Sequence, residues 1–273
     1  MRGPKITDQQ RVDNFFKEAT ITPFEDIPTT LLTGVVKLRP GTEISPRVVF
    51  DCVPIYEIPG WKRGGNIKVD IPYPGIPFVV LSAKLGKEIK GVVKNKADLN
   101  KTEGKKRTFP NQVGLDISLS DKNVNVFISK DKLKITGAKR PGHLTEAYIF
   151  INRMLMALHR QGHAVFKEAP MVVKIEIEMN NMVFALGYSV RKDALIRCAL
   201  AEGLSCPPED DAVRITYPMG KMKKKGDEER QYTFRIHHTG SVVYSGDERG
   251  HMKESYDKFM AFITRNEAAI RFC

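Results

Sequence analysis

The stretch that decides the fold is Gly142-His143-Leu144-Thr145-Glu146-Ala147-Tyr148, which returns as Gly250-His251-Met252-Lys253-Glu254-Ser255-Tyr256. Apolar residues continue in step at i, i+4, i+7 and i+11: Leu144, Tyr148, Ile151 and Leu155 in one copy, and Met252, Tyr256, Phe259 and Ile263 in the other. That spacing places them on one face of an amphipathic helix. An apolar stripe can be shared by chance, but the shared Gly-His-x-x-Glu-x-Tyr string indicates an internal repeat.

The repeat extends upstream of both helices. Lys132–Gly137 aligns with Ser241–Gly246, and each segment follows a predicted hairpin turn, at Lys130-Asp131 and at Thr239-Gly240. Each half opens with a strand and a helix, and two more strands precede each hairpin. The predicted elements are Thr29–Leu38, Ser45–Val53, Gln112–Leu119 and Asn123–Ser129 in the first half, and Val173–Ala185, Lys192–Ala201, Ala212–Tyr217 and Gln231–His238 in the second.

The sequence therefore predicts an α+β fold in which a β-α-β-β-β-β-α module is present twice. The copies are too far apart for a solenoid, whose repeats span roughly 20–50 residues. Helices on one face of an antiparallel sheet would leave the other face in need of a partner. We predict an N-terminal arm at 1–28, repeat 1 at 29–162 with an insertion at about 54–108, and repeat 2 at 163–273. Two independent α+β domains with no joint surface are the alternative.

The composition favours a polyanionic partner. The chain has 44 Lys and Arg against 32 Asp and Glu, which gives a net charge of +12, and such a balance also fits a solvated surface. We expect a soluble intracellular protein, because no apolar stretch approaches the roughly 20 residues of a membrane span and the N-terminus has no apolar leader. The cysteines (Cys52, Cys198, Cys206 and Cys273) form no Cys-x-x-Cys pair, which argues against a zinc site and for a reducing compartment.

Catalytic motifs are missing from the sequence. It contains no P-loop, His-Glu-x-x-His, Gly-x-Ser-x-Gly or Gly-x-Gly-x-x-Gly signature. His143 and His251 lie near predicted helix starts, where capping is the expected role. His237 and His238 are neighbours on a predicted strand, so their rings point to opposite faces and do not chelate one metal easily. The sequence predicts a protein that is not an enzyme and has no cofactor and no metal.

Three strings resemble the TATA-binding protein family. Lys134-Ile135-Thr136-Gly137-Ala138-Lys139 resembles the Thr-Gly-Ala-Lys signature that ends a strand before that family's long helix, and Tyr244–Glu248 is a degraded second copy. Asn181-Met182-Val183 resembles the start of the family's second repeat, and Phe109-Pro110 resembles a Phe-Pro step that begins another strand. The resemblance covers about residues 29–265. It implies a saddle-shaped antiparallel sheet with helices on the convex face and a concave face that binds the DNA minor groove.

The resemblance and strand parity together name the side chains expected to contact DNA, because alternate residues of a strand share a face. In repeat 1 they are Thr33, Val35, Phe109, Pro110, Val126, Ile128, Lys130, Lys134 and Thr136. In repeat 2 they are Asn181, Val183, Ala185, Arg235, His237, Thr239, Val243 and Ser245. Asn181 would donate to the A N3 and T O2 acceptors of the minor groove. For each β-branched residue taken singly, ordinary strand packing is the alternative.

The chain departs from the family at the phenylalanines that the family inserts between base steps. Phe109 matches the first position, whereas Ile128 falls at the second, with Phe127 beside it on the opposite parity. Repeat 2 has His237 and Cys206-Pro207-Pro208 at its two positions. Apolar wedges offset the cost of unstacking a base step, so these departures predict a weaker or asymmetric DNA bend that depends on repeat 1.

Other departures concern the asparagine and the insertions. Asn181 aligns with Leu31 in repeat 1, so the family's asparagine pair is incomplete. The insertion at 54–108 contains Trp61 and the short apolar piece Phe78–Leu81, which is a candidate extra strand. A second insertion, Met219–Arg230, is either a solvated loop or a source of phosphate contacts from Lys221, Lys223, Lys224 and Lys225.

The resemblance implies a transcription initiation factor that binds AT-rich double-stranded promoter DNA as a monomer. Its protein partners would be a transcription factor IIB-like factor and RNA polymerase, with no membrane involved. The divergence would suit a large DNA virus or a divergent protist, and the expected location is the nucleus, or a cytoplasmic viral factory if the protein is viral. The alternative is a protein-interaction module that keeps the fold and has lost sequence-specific DNA binding.

Overall fold

The computed structural model describes residues 22–57, 78–91, 111–207, 209–223, 229–247 and 249–272. The chain divides into two compact units. The repeat-1 unit is Leu31–Glu178, and the repeat-2 unit combines the residues up to Thr30 with those from Met179 onward. The sequence analysis placed the division at 162/163, whereas these units divide inside a long strand.

The repeat-1 unit packs helices against an antiparallel sheet. Its strands lie in the order β3-β2-β4-β5-β6-β1, followed by the first half of β7. The helices begin as the sequence dictates, with Ser45 accepting from the N–H of Val48 and proline at the first helical position of both. The elements are β1 (Thr29–Leu38), α1 (Pro46–Cys52), β2 (Val79–Leu85), β3 (Glu88–Gly91), β4 (Val113–Ser118), β5 (Asn123–Ile128), β6 (Lys132–Ala138) and α2 (Pro141–Arg160).

The repeat-2 unit repeats this plan with fewer strands. Its sheet has the order β7-β10-β9-β8, and a single bridge joins Ser205 to Thr216 beside β8. The elements are β7 (Val172–Ala185), α3 (Lys192–Ala201), β8 (Ala212–Lys223), β9 (Glu229–His237), β10 (Ser241–Gly246) and α4 (Arg249–Ile270). The predicted α+β class, with antiparallel strands and a duplicated module, is confirmed.

The strand count differs between the two copies. Among the described residues, repeat 1 has six strands, β1 to β6, and repeat 2 has four, β7 to β10. The predicted module had five strands in each repeat. The surplus in repeat 1 comes from the β2–β3 hairpin, which lies inside the predicted insertion and pairs through β2 with β4. The apolar piece at Phe78–Leu81 therefore forms the predicted extra strand, beginning at Val79.

The core of the repeat-1 unit lies between the sheet and α2. The predicted stripe of α2 is buried, with Leu144, Ile151 and Leu155 each at most 2% exposed. Gly34 on β1 is required by this packing, because a Cβ atom there would lie 2.7 Å from Cδ1 of Leu144. Gly137, the glycine of the Thr-Gly-Ala-Lys string, has φ of +88°, a conformation that glycine adopts without steric cost.

The core of the repeat-2 unit is aromatic. The ring of Phe234 stacks on Tyr244 at 4.1 Å and on Phe259 at 4.0 Å, measured between centroids. The buried hydroxyl of Tyr244 donates to the carbonyl of Met252 at 2.6 Å and contacts the Ser255 hydroxyl. The sheet and α4 are therefore joined by ring stacking and by a satisfied polar contact.

The two repeats share a tertiary contact that the sequence does not reveal. The N–H of Ile44, before α1, donates to the carbonyl of Lys130 in the β5–β6 turn at 2.7 Å. The N–H of Val190, before α3, donates to the carbonyl of His238 in the β9–β10 loop at 2.8 Å. In each unit the segment that precedes the short helix thus fixes the hairpin loop.

The two histidines at the starts of the long helices differ. His143 is buried, and its Nδ1 accepts from the N–H of Lys139 at 3.2 Å while Nε2 lies 3.0 Å from Asp121. Burial raises the pKa of Asp121. The hydrogen bond to His143 and the nearby charges together lower it by more than burial raises it, so the pKa lies below its usual value. His251 has a buried Nδ1 without a hydrogen-bond partner among the described residues. The N–H that His143 accepts precedes the helix, and Arg140, the N-cap of α2, has no side-chain cap hydrogen bond, so the predicted capping role is not observed for His143.

The first described residues pack on α4 of the repeat-2 unit. The hydroxyl of Tyr256 donates to the carbonyl of Thr22 at 2.6 Å, and Arg249 donates to the carbonyl of Phe24 at 3.0 Å. The predicted arm helix at 8–18 lies outside the described residues. No helix in the described part of the chain is long and apolar enough to cross a membrane.

Candidate nucleic-acid interface

Each half-sheet has one face that carries its core and one face that we call its open face. In repeat 2 the core face holds Met182, Phe184 and Tyr244, all at most 5% exposed. Alternate residues of the same strands are half-buried or exposed. The open face of repeat 2 consists of Asn181, Val183, Ala185, Ala212, Arg214, Thr216, Thr233, Arg235, His237, Ser241, Val243 and Ser245.

The predicted DNA-contacting residues of repeat 2 lie together on this face. Asn181 is opposite Ser245, Val183 is opposite Val243, and Ala185 is opposite Ser241. Arg235 lies beside Val243 on the neighbouring strand, and His237 follows two residues later on the same face. Thr239 lies in the loop between β9 and β10. Strand parity therefore placed the strand residues of this group on one face, whereas Thr239 lies outside the strands.

Four predicted residues of repeat 1 also share a face. Thr33 is opposite Thr136, and Val35 is opposite Lys134. Thr33 and Val35 are nevertheless only 2% and 6% exposed. The open face of repeat 1 includes Thr33, Val35, Lys37, Gly114, Asp116, Asn125, Phe127, Lys132, Lys134, Thr136, Glu176 and Glu178.

The prediction for Val126 and Ile128 is wrong. Both side chains are fully buried. Val126 is opposite Ile135, and Ile128 is opposite Leu133, so they belong to the core face with the two residues that the sequence correctly assigned to it. Neither side chain can contact DNA in this fold.

The open face receives Asn125 and Phe127 instead. Asn125 is opposite Thr136, and Phe127 is opposite Lys134. The half-buried ring of Phe127 lies over Gly114, where a Cβ atom would be 3.2 Å from Cε1. The second wedge position of repeat 1 thus has a phenylalanine on the predicted face, which the alignment had assigned to Ile128.

The length of the hairpin loop explains the error. Lys130-Asp131 is a two-residue turn, closed by the N–H of Ser129 donating to the carbonyl of Lys132 at 3.0 Å. Across a two-residue turn, odd-numbered residues of one strand pair with even-numbered residues of the other. Counting every second residue from β6 back through the turn therefore moves from the open face to the core face. The loop of repeat 2, His238–Gly240, has three residues, and counting by twos then stays on one face.

Lys130 itself is occupied by an acidic partner. Its Nζ lies 2.8 Å from Glu43, which also lies 3.1 Å from Nζ of Lys167. These two hydrogen bonds hold the pKa of Glu43 below its usual value. Lys130 therefore lies in a turn, paired with the segment before α1, rather than on the strand face that the prediction gave it.

The strand register also changes which residue of repeat 1 is equivalent to Asn181. Thr136 aligns with Ser245, and these residues lie opposite Thr33 and Asn181 respectively. Thr33, rather than Leu31, therefore occupies the position equivalent to Asn181. Oγ1 of Thr33 and Oδ1 of Asn181 are both buried without a hydrogen-bond partner among the described residues. Such atoms are uncommon in folded proteins and call for an explanation.

Two lysines of the open face of repeat 1, Lys134 and Lys37, are paired with acids from β7. Lys134 Nζ lies 2.9 Å from Glu178, and Lys37 Nζ lies 2.5 Å from Glu176. The hydrogen bond from Lys37 is the main reason that the pKa of Glu176 lies below its usual value. Sequence reasoning did not include these carboxylates, although Lys174, Glu176 and Glu178 alternate along a predicted strand.

The cations of the open face of repeat 2 are paired in the same way. Arg235 donates to Glu209 at 2.8 Å and to Asp211 at 2.7 Å, and Arg214 donates to Glu209 at 2.6 Å. Arg214 was not predicted, yet it lies directly opposite Arg235. The charges of these two arginines, like those of Lys37 and Lys134 in repeat 1, are thus locally neutralised.

Several predicted positions cannot be placed. Phe109, Pro110, Lys224 and Lys225 lie outside the described residues. Lys221 and Lys223 belong to β8, but their side chains are not described. Among the residues that the structure describes, no three His, Cys, Asp or Glu side chains come together as a metal site.

Comparison with known proteins gives likenesses in structure alone. No family model matches the sequence, and no curated protein matches it. Among solved structures, the TBP of Methanococcus jannaschii is similar, with 18% identity over 88% of this chain and 98% of that chain and a TM-score of 0.45. A likeness at this level identifies no function.

Proposed function

We propose that this protein binds AT-rich double-stranded DNA in the minor groove and acts as an initiation factor of the TATA-binding protein type. The observation that carries the proposal is the open face of repeat 2. There, half-buried Val183, Ala185 and Val243 share one face with Asn181, whose side-chain NH2 group can donate hydrogen bonds. A smooth surface with one amide suits a groove whose base edges offer mainly acceptors.

The open face of repeat 1 would supply the bend. Phe127 is the aromatic side chain that the described part of this face offers, and it lies beside Lys134. An apolar wedge inserted at a base step can kink the duplex at a cost of a few kcal/mol, repaid by the additional contacts that the bend allows. Phe109, predicted as the first wedge, remains part of the proposal.

Duplex binding at several salt concentrations tests the proposal directly. We expect tighter binding to an AT-rich duplex than to a GC-rich duplex of equal length, at every salt concentration. Phosphate contacts make affinity fall with salt on any sequence, so the ratio between the two duplexes reports groove recognition. Equal affinities for the two duplexes, with a steep salt dependence, would reject minor-groove readout.

Recruitment of a transcription factor IIB-like factor and of RNA polymerase, and a location in the nucleus or a viral factory, belong to the same proposal. Their support is the resemblance of Lys134–Lys139 and Asn181–Val183 to the family strings. A mobility-shift assay on AT-rich DNA would test recruitment, since a purified IIB-like factor should produce a slower complex only when this protein is present.

A second function is favoured by the ion pairs on the open faces. Lys134 and Arg235 already have carboxylate partners, and paired cations offer less attraction to phosphates than free ones. A protein-interaction module that no longer reads DNA would present such a neutral surface. In that case neither duplex should bind even at low salt, whereas the first function requires AT-rich binding there.

A further inference from the structure

Two arginines lie directly opposite each other at the outer strands of the open face of repeat 2. Arg214 on β8 is the cross-strand partner of Arg235 on β9. Like charges at directly opposed positions destabilise a sheet. An anion between the two guanidinium groups relieves this repulsion.

Glu209 supplies that anion. One carboxylate oxygen accepts from Nε of Arg214 at 2.6 Å, and the other accepts from Nε of Arg235 at 2.8 Å. The Glu209 side chain is only 12% exposed, against 46% and 44% for the two arginines. Burial raises the pKa of Glu209. The hydrogen bonds from both arginines lower it by more than burial raises it, so the pKa lies below its usual value.

The loop that carries Glu209 is anchored from the helix side. Nζ of Lys192, the first residue of α3, donates to the carbonyl of Glu209 at 2.6 Å and to that of Asp210 at 3.0 Å. The backbone is thus fixed while the carboxylate sits on the open face. A fixed loop with a rotatable side chain allows the carboxylate to leave without local unfolding.

We infer that Glu209 occupies, in the free protein, the place that a DNA phosphate takes in the complex, so that the two are exchanged on binding. The inference rests on the proposed function, since it assumes that this face meets DNA. Carboxylate and phosphate are recognised by the same planar guanidinium donors. The exchange needs no covalent step, and its cost is independent of base sequence because only the backbone is involved.

Replacing Glu209 with glutamine tests the exchange. Glu209→Gln keeps the shape and removes the competing charge, so affinity should rise several-fold at low salt, by the same factor on AT-rich and GC-rich duplexes. Because the exchange gives both proteins the same phosphate contact in the complex, their salt dependences should be nearly equal and the gain should persist between roughly 50 and 200 mM salt. Adding Arg214→Gln to the variant should reverse most of the gain.

Glu202→Gln is the matched control. Glu202 pairs with Arg265 at 2.7 Å in a contact between the end of α3 and α4, away from the open face, so this variant makes the same change in net charge. It should leave affinity close to that of the wild type. An equal gain in Glu202→Gln and Glu209→Gln would overturn the inference, because net charge alone would then explain both.

A second variant keeps the test decisive if Glu209→Gln folds poorly. Asp211→Asn removes the more exposed partner of Arg235, 2.7 Å away, and should give a smaller gain of the same kind. Gains on both duplexes without AT preference would support the exchange and reject the proposed groove readout. AT-selective binding with no gain in either variant would support groove readout and reject the exchange. If no variant bound DNA, both the exchange and the groove readout would be overturned.

Discussion

Lys134 on β6 reaches across β1 to Glu178 on β7, with 2.9 Å between Nζ and the carboxylate. The strand that they bridge carries Val35, which lies opposite Lys134 and is 6% exposed. The ion pair therefore covers an apolar residue on the open face of repeat 1. A ligand that uses Val35 must first displace the pair.

The first prediction concerns the strength of that pair. A double-mutant cycle with Lys134→Ala and Glu178→Ala should give a coupling of about 0.2–1 kcal/mol in urea unfolding, the range for exposed ion pairs. The two side chains are 46% and 48% exposed, so water and salt screen them. A coupling of several kcal/mol, unchanged in high salt, would contradict this assignment and make the pair a fixed structural element.

The second prediction tests the corrected parity of β5. Val126→Ala removes atoms from a fully buried side chain and should lower the free energy of unfolding by about 0.5–3 kcal/mol, as core truncations do. Its neighbour Asn125 is exposed, so Asn125→Ala should stay within about 0.5 kcal/mol of the wild type. Thermal and urea unfolding of the two variants side by side measures the difference, and the opposite ranking would restore the original parity.

Most of the fold could be predicted from the sequence because the internal repeat shows which segments are equivalent. The stripe from Leu144 to Leu155 and its second copy fixed both long helices, and strand alternation fixed the faces of β6 and β10. The error at Val126 arose from counting by twos through the predicted two-residue turn Lys130-Asp131, since a shift of one residue moves every following side chain to the other face. The hydrogen bond between Ser129 and Lys132 shows that the turn itself was predicted correctly.

The charge pattern of the site was harder to predict than its position. Glu209 follows Pro207 in a loop, so strand parity says nothing about which face its carboxylate reaches. Its role emerges only when β8 and β9 bring Arg214 opposite Arg235. Long-range ion pairs depend on register and on loop anchoring together, whereas the open face itself follows from alternation within one strand.

The third prediction concerns bending. Phe127→Ala should reduce the bend of a short AT-rich duplex, measured by energy transfer between its ends, because the wedge offsets the cost of unstacking. Phe109→Ala should have the same effect. Ile128→Ala is the matched comparison, since Ile128 is buried beneath the sheet and should change stability without changing the bend. An undiminished bend in Phe127→Ala would remove that ring from the interface.

The fourth prediction separates two neighbouring asparagines. Asn181→Ala should weaken binding to AT-rich DNA by about 1–3 kcal/mol, the range for a lost base contact, with little change in melting. Asn180 is 3% exposed on the opposite parity, so Asn180→Ala should alter stability and leave DNA affinity unchanged. Early melting of Asn181→Ala, or an unchanged affinity, would show that Asn181 does not read bases.

The last prediction follows the pKa of Glu209 into stability. Its hydrogen bonds from Arg214 and Arg235 keep that pKa below the ordinary 4.5 in the folded protein. Unfolding restores the ordinary value, so the unfolded chain binds the proton more readily as the pH falls. The contribution of Glu209 is therefore complete above about pH 4.5 and is lost as the pH falls through the lower, folded value.

Glu209→Gln should consequently lower stability at neutral pH and flatten the loss of stability below pH 4.5. Asp211 faces the same arginine, so part of the acid sensitivity should remain in this variant and disappear in the double variant with Asp211→Asn. Urea unfolding between pH 3 and pH 7 measures these differences. If Glu209→Gln and the wild type lost stability with the same slope in acid, Glu209 would hold no preferential interaction with the arginines in the folded state.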